Sequence, residues 1–384
     1  MAVWRIARCE NPEAGIVEDG NAGTFEKYLE RDEGLKMDCR LSDYNFEFPK
    51  ELIASRTAGK GKTHILYCPK DGGERRIMKA PEIVDLFRPG DCLVVNNTKV
   101  IPARLYGETQ FGGQVEVLLV QALNPSEAGE ARFEAKVHPG KAFQVGRELK
   151  LAGVRTFVEE VHEEDGNRVL RFEKTPAEME EVMNKEGHVP LPPYIDRPDD
   201  EDDKKAYQTI FAKYAGAVAA PTASLHFSEQ MLEDLKAKGV YVAEVTLHVG
   251  PGTFQNISVE DFSQHKMHGE HYELTKENAD IINKAKREGG RIVTVGTTST
   301  RVVETIADAN GFLKPQKGVT YAFFYPGYKY KLVDGLLTNF HWPKSSLILL
   351  VSAFYGRENT LAAYKMAVEN KLKLFSYGDG MLIL

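Results

Sequence analysis

No stretch of about 18 or more apolar residues occurs in the 384-residue chain, so no segment is expected to span a bilayer as a helix. The opening MAVWRIARCENPEAGIVEDG has no apolar block of the secretory type and is rich in acidic residues, which transit peptides avoid. A cytoplasmic protein is the expectation. Cysteine is scarce: Cys9, Cys39, Cys68 and Cys92 all fall in the first quarter, without a CxxC pair or a histidine at zinc-finger spacing. That excludes a disulfide scaffold and leaves reduced thiols, with Cys92 of DCLVVNN expected inside a buried strand. There is no GxxxxGK and no GxGxxG following a strand, which removes the P-loop and Rossmann modes of nucleotide binding. Positive charge is also in deficit, 49 Lys and Arg against 56 Asp and Glu, a formal net charge of −7. Such a chain does not coat nucleic acid by bulk charge, although a local basic face stays open to it.

The length suits one large or two ordinary domains. Residues 1–40 are polar and weakly periodic and read as an N-terminal extension, with a possible short helix near GTFEKYLERDE. Residues 105–189 carry short alternating runs (GGQVEVLLVQA, RFEAKVHPG, RTFVEEV, RVLRFEK) between Gly, Pro and acidic turns, the pattern of an inserted small all-β barrel. On either side, 41–104 and 190–384 form a discontinuous α/β domain in which helical and apolar strand patterns alternate, as in SEQMLEDLKAKG then VYVAEVTLHVG. The expected fold is a layered α/β sandwich with a largely parallel sheet and the barrel inserted into it. The acidic runs 158–167 and 196–203 read as solvated loops. The basic clusters NKAKREGGR, GYKYKL and NKLKL read as exposed faces or phosphate contacts.

In open α/β sheets, ligands bind beyond the carboxyl ends of strands. Several polar motifs fall there. VTLHVGPGTF ends a strand with His248, and VTVGTTSTRVVE passes from a strand through Thr297, Thr298 and Ser299 into a helix, a cradle for phosphate or carboxylate or simply a helix cap. AAPTASLHFSEQML brings His226, and LLTNFHWPKSSLILLVSAF brings Asn339, His341 and Lys344, ahead of apolar segments. HKMHGEHYEL holds His265, His268 and His271 with Glu270. Its histidine spacing does not fit the helical zinc signature, and Gly269 interrupts a helix. As an extended strand it places His268, Glu270 and Tyr272 on one face and His265, Met267 and His271 on the other, a hydrogen-bonded polar cluster in a cleft, with a metal site as the alternative.

RPGDCLVVNNTKVIPARLYG, LPPYI with YQTIFA, GAVAAPTASLHF, VTLHVGPGTF, HKMHGEHYEL, VTVGTTSTRVVE, FFYPGY, DGLLTNFHWPKSSLILLVSAFYGRE and FSYGDGMLIL occur in one order from residue 41 to the end. Together they resemble the S-adenosylmethionine:tRNA ribosyltransferase-isomerase family of queuosine biosynthesis. The resemblance implies a metal-free enzyme without a prosthetic group, with S-adenosylmethionine as co-substrate. Its partner would be tRNA with a GUN anticodon (Tyr, His, Asn and Asp tRNAs) carrying 7-aminomethyl-7-deazaguanine; no membrane is involved and a monomer is expected. The sequence departs from the pattern in residues 1–40 and in ASRTAGKGKTHIL, and has Ser224, Gly269 and Gly380 where Gly, Ser and Ala are common.

The reaction that the resemblance implies, transfer of the ribosyl part of S-adenosylmethionine onto that aminomethyl group with rearrangement to an epoxycyclopentanediol and release of adenine and methionine, sets demands on side chains. The sulfonium acidifies the neighbouring ribose 5′ protons, so a general base is needed in a water-poor pocket; His226, His248, His268 and Glu270 are candidates. Asp379 or Glu304 could act on the other side of the sugar. Thr297, Thr298, Ser299 and Arg301 would hold the methionine carboxylate or ribose hydroxyls, and Tyr325 or Phe254 would face the sulfonium. Arg104, Asn339, His341 and Lys344, with Lys329 and Lys331, are the tRNA-binding candidates. A conventional methyltransferase, a non-catalytic RNA-binding barrel and a metallohydrolase are the rival classes.

Overall fold

The computed structural model describes residues 39–164, 166–250, 252 and 257–384. The N-terminal extension with its possible helix, and Phe254, lie outside them. The expected combination of an α/β sandwich and a barrel is present. The main-sheet strands are β1 His64–Cys68, β2 Arg76–Lys79, β3 Cys92–Asn96, β12 Tyr241–Leu247, β13 Glu270–Leu274, β14 Ile292–Val295, β15 Gln316–Thr320, β16 Gly335–Asn339 and β17 Gly380–Ile383. The barrel strands are β5 Arg104–Thr109, β6 Gln114–Leu123, β7 Ala131–His138, β8 Glu148–Leu151, β9 Val154–Val161 and β10 Arg168–Phe172; β4 Thr98–Val100 and β11 Tyr214–Ala217 form a short parallel pair. The helices are α1 Pro176–Glu186, α2 Glu201–Ala206, α3 Glu229–Ala237, α4 Lys276–Arg287, α5 Gly296–Ile306, α6 Ser346–Tyr355 and α7 Arg357–Glu369.

The nine strands run in the order β15-β13-β12-β3-β14-β16-β17-β1-β2. Only β12, β3, β14 and β16 form a continuous parallel block; β17 is antiparallel to β16, and β13 to β12. The sheet is therefore mixed, a correction to the largely parallel expectation. Central strands such as β3, β14 and β16 are buried throughout, because both faces are covered and an alternating pattern has nothing to report. Leu93 and Val95 of β3 pack with Phe227, Met231 and Leu235, while Cys92 and Val94 pack with Ala279 and Ile282 on the opposite face. Each such side chain stabilises the fold by about 1.5–3 kcal/mol on burial. Where β3 leaves the sheet, the Asn96 side chain stands in for backbone: Nδ2 donates to the Leu247 carbonyl at 3.1 Å and Oδ1 accepts from the Leu247 and Thr98 amides, each at 3.1 Å.

The barrel closes in the order β10-β7-β6-β5-β8-β9. At its β5–β8 seam Gly107 faces Leu151, and a Cβ there would overlap the Lys150 carbonyl oxygen; only glycine permits that approach. Met179 and Met183 of α1 join the barrel core. The acidic run 158–167 is not simply a loop. Glu159 and Glu160 belong to β9, and Glu159 sits 2.6 Å from Arg132 and 3.0 Å from Arg171 across the barrel surface.

The run 196–203 is likewise ordered. Asp200 caps α2 and meets Arg56 at 2.5 Å, while the buried Asp203 accepts from both Arg197 terminal nitrogens at 2.6 and 2.8 Å and from the Tyr377 hydroxyl at 2.9 Å. This strap fastens the chain returning from the barrel to the main domain. Asp203→Ala, which removes the carboxylate partner of Arg197 and the acceptor of the Tyr377 hydroxyl, is expected to lower stability by about 2–4 kcal/mol. Exposed Asp202→Ala should stay within about 0.5 kcal/mol. Urea denaturation of the two variants measures the difference.

Candidate active site

The register that aligns β12, β14 and β16 makes their carboxyl ends finish together, and a cavity of about 350 Å³ lies there. Val249 follows β12 into its wall, Gly296 to Thr298 follow β14, and Asn339 to Trp342 follow β16. Thr222 and Ala223, from the 3-10 turn Thr222–His226, contribute another side. Pro193 and Tyr194 come from the segment just before the strap, and Phe375 and Ser376 from the approach to β17. Chain segments far apart in sequence are thus joined by one sheet edge, as in α/β sites generally.

The β14-to-α5 passage forms one wall. Gly296 has φ +84°, a conformation that lets the strand turn at once into a helix and that other residues rarely adopt. No side chain caps this helix, so its first amides remain as donors at the positive end of the helix dipole. The hydroxyls divide by direction. Ser299 Oγ donates to the Val295 carbonyl at 2.9 Å and Thr300 Oγ1 to that of Gly296 at 3.1 Å. Thr297 and Thr298 line the cavity instead, and the buried Thr298 hydroxyl has no hydrogen-bond partner among the described residues.

Opposite lie polar and aromatic groups. Asn339 donates from Nδ2 to the Phe375 carbonyl at 2.9 Å and accepts from Thr222 Oγ1 at 3.2 Å. His341 Nε2 is 2.7 Å from Thr338 Oγ1, and burial pushes its pKa down to about 3. Tyr194 stacks on Trp342 with centroids 5.6 Å apart and planes at 13°, and Phe375 lies 4.7 Å from Trp342. The Tyr194 hydroxyl is bonded to Ser376 Oγ, and burial pushes its pKa up to about 12. Sequence reasoning did not single out Tyr194, Trp342 or Phe375. The signal was an aromatic inside each of three otherwise small or polar motifs, LPPYI, TNFHWP and FSYGDG.

Of the other expected site residues, His226 and Asp379 are not among those that line the cavity, but each lies a few residues along the chain from one that does. His226 ends the Thr222–His226 turn, with Nδ1 2.8 Å from Thr63 Oγ1 and a buried Nε2 that has no partner among the described residues. A Cβ on Gly380 would lie 2.7 Å from that nitrogen. Burial pushes the His226 pKa down to about 4, so the imidazole is neutral near pH 7. Asp379 leads into β17 and accepts from the His64 and Lys373 amides, each at 2.7 Å.

The rest do not line the cavity. Ser299 is spent inside its helix, and Arg301 pairs with Glu270 and donates to the Ala322 carbonyl at 3.2 Å. Glu270 also accepts from the Gly250 amide at 3.1 Å. His248 Nδ1 is 2.8 Å from Thr98 Oγ1, with its pKa lowered by burial. In HKMHGEHYEL the strand begins only at Glu270: Glu270, Tyr272 and Leu274 turn inward, whereas His268 precedes the strand and is exposed. No group of three or more His, Cys, Asp or Glu among the described residues is arranged to hold a metal ion. Tyr325 packs on Phe262 and Phe323. Arg104 lies at the start of the barrel, 3.1 Å from Glu116. The Lys344 amide donates to the Tyr44 carbonyl at 3.1 Å, and Lys331 Nζ to that of Ala307 at 2.5 Å. Glu304 accepts from the Tyr328 hydroxyl and three backbone amides of 331–333.

Buried His226 and half-buried His341, whose ring nitrogens are withdrawn from solvent, make stability pH-dependent. Their folded pKa values lie below the ordinary 6.5, so the unfolded chain binds more protons as pH falls through this range and stability drops with it. His226 alone should remove about 3 kcal/mol between pH 7 and pH 4. The urea midpoint of His226→Gln should therefore fall less steeply over this interval than that of the unsubstituted protein.

Residues 41–383 match the family model described as queuosine biosynthesis protein. Proteins named S-adenosylmethionine:tRNA ribosyltransferase-isomerase from Acetivibrio thermocellus and Clostridium kluyveri are 45% and 46% identical to this chain over 348 residues; the alignments cover 90% and 89% of this chain and 99% of each relative. The crystal structure of S-adenosylmethionine tRNA ribosyltransferase from Thermotoga maritima aligns with a TM-score of 0.50 at 32% identity, covering 89% of this chain and 100% of that one. The chain belongs to the queuosine biosynthesis family, as one of its S-adenosylmethionine:tRNA ribosyltransferase-isomerases.

Proposed function

We propose that this enzyme moves the ribosyl moiety of S-adenosylmethionine onto the aminomethyl group of 7-aminomethyl-7-deazaguanine at the wobble position of GUN-anticodon tRNAs, those for Tyr, His, Asn and Asp. The sugar rearranges to the epoxycyclopentanediol of epoxyqueuosine, and adenine and methionine leave. The enzyme works in the cytoplasm, as a monomer and without a prosthetic group. The observation that carries this reading is a single cavity with an uncapped helix N-terminus on one side and the Tyr194–Trp342–Phe375 wall on the other. Its 350 Å³ falls within the range of about 300–1,000 Å³ typical of small-molecule sites.

The carboxylate or sugar hydroxyls of S-adenosylmethionine meet the α5 amides with Thr297 and Thr298. The aromatic wall takes the flat adenine or the sulfonium, since π faces attract cations and stack on bases. Asn339 and Thr222 supply edge hydrogen bonds. His226, with Nε2 unengaged, and Asp379, which leads into β17, are the candidate proton-transfer groups. Arg301 acts through Glu270 to position α5 and has no direct ligand role. His341, held by Thr338, and Lys344 border the path of the tRNA base.

Incubation with S-adenosylmethionine and precursor tRNA, followed by mass spectrometry of the digested nucleosides, tests the reaction. A heavier wobble nucleoside with an equivalent of free adenine is expected; S-adenosylhomocysteine as product would place the enzyme among the methyltransferases. Trp342→Ala, which removes a stacking face worth about 1–3 kcal/mol, should raise the KM for S-adenosylmethionine roughly 5- to 150-fold. Titration of initial rates against S-adenosylmethionine measures it.

A further inference from the structure

One motif has no part in the cavity: Gly59-Lys60-Gly61-Lys62, in the segment that departs from the family pattern. Its shape is fixed by two glycines with positive φ, +102° at Gly59 and +73° at Gly61. The Lys62 amide donates to the Gly59 carbonyl at 3.1 Å, and the Gly59 amide to Thr57 Oγ1 at 3.1 Å. The turn thus satisfies its own backbone and leaves both lysine side chains in solvent, where Lys60 and Lys62 are exposed and form no ion pair among the described residues. Lys174, Lys204, Lys213 and Lys276, by contrast, each have a carboxylate within 3.0 Å.

The loop is anchored at the cavity end of the sheet. The Gly61 amide donates to the His226 carbonyl at 3.1 Å, and Thr63 holds the His226 ring. The strand that follows begins beside Gly380, which faces the cavity residue Asn339 across the ladder. His64 pairs in register with exposed Lys79, so positive side chains continue from the loop onto the sheet edge. In a chain of net charge −7, an uncompensated pair of cations next to the active cavity marks where a polyanion can approach.

We infer that Lys60 and Lys62 contact backbone phosphates of the tRNA anticodon loop beside the nucleotide that enters the cavity. This rests on the proposed function, because it takes tRNA as the occupant. The test is filter binding of precursor tRNA to the unsubstituted enzyme and to Lys60→Ala/Lys62→Ala across a salt series. Each single-strand phosphate contact contributes about 0.7 to the slope of log affinity against log salt. The double variant should therefore bind at least fivefold more weakly at about 0.1 M salt, with a slope shallower by about 1.4, while its affinity for S-adenosylmethionine stays within twofold. Replacing both residues by arginine should retain the slope. An unchanged affinity and slope in the alanine variant would overturn the phosphate contact. Failure of the underlying reading would show separately, as the absence of ribosyl transfer by the unsubstituted enzyme.

Discussion

Arg301 and Glu270 meet in the interior, each side chain only 6% exposed, and the placement of the cavity depends on their meeting. A single charge buried at either position would be costly, so the two must arrive together. They can do so only when the antiparallel strand that begins at Glu270 has docked between its two neighbours and the helix carrying Arg301 has packed over the sheet. The second oxygen of Glu270 holds the Gly250 amide, just past the cavity residue Val249, and Arg301 Nε holds the Ala322 carbonyl. One ion pair thereby ties the Glu270–Leu274 strand, Gly250 and the 320s segment to the helix whose amino end forms a cavity wall.

From that anchor the chemistry follows by direction. The helix points uncapped amides and two threonines into the cavity, while the chain returning from the barrel brings Tyr194 to the same space from the other side. Arg197, Asp203 and Tyr377 hold the strap down, which makes the acidic run part of the machinery that positions an aromatic face. Low pKa values keep His226 and His341 neutral near pH 7, and a neutral imidazole offers a nitrogen lone pair as a hydrogen-bond acceptor where an imidazolium does not.

Class and architecture could be read from pattern because they depend on local periodicity: alternating short runs for the barrel, strand and helix segments in turn for the sandwich. Pairing partners could not. GMLI at the carboxyl end is a buried strand by composition, but nothing in four apolar letters says that it lies antiparallel to the strand ending at Asn339. The same limit governs the site. The motifs that converge on the cavity were recognisable at strand ends, yet in VGTTSTR successive residues turn by about 100° around a helix. Thr297 and Thr298 therefore reach the cavity, whereas Ser299 and Arg301 turn inward. Aromatic residues such as Trp342 pass for core in a sequence, since only the fold shows which ring edge is left open. The acidic runs look solvated because arginine partners far along the chain are invisible to local charge patterning.

A crystal structure of the enzyme soaked with S-adenosylmethionine is the most direct test of where the reaction takes place. Density for the nucleoside is expected between the Tyr194–Trp342–Phe375 wall and the amino end of the Gly296–Ile306 helix, within reach of Thr297, Thr298 and Asn339. Density for the ligand elsewhere on the protein, with this cavity filled only by water at saturating concentration, would contradict it.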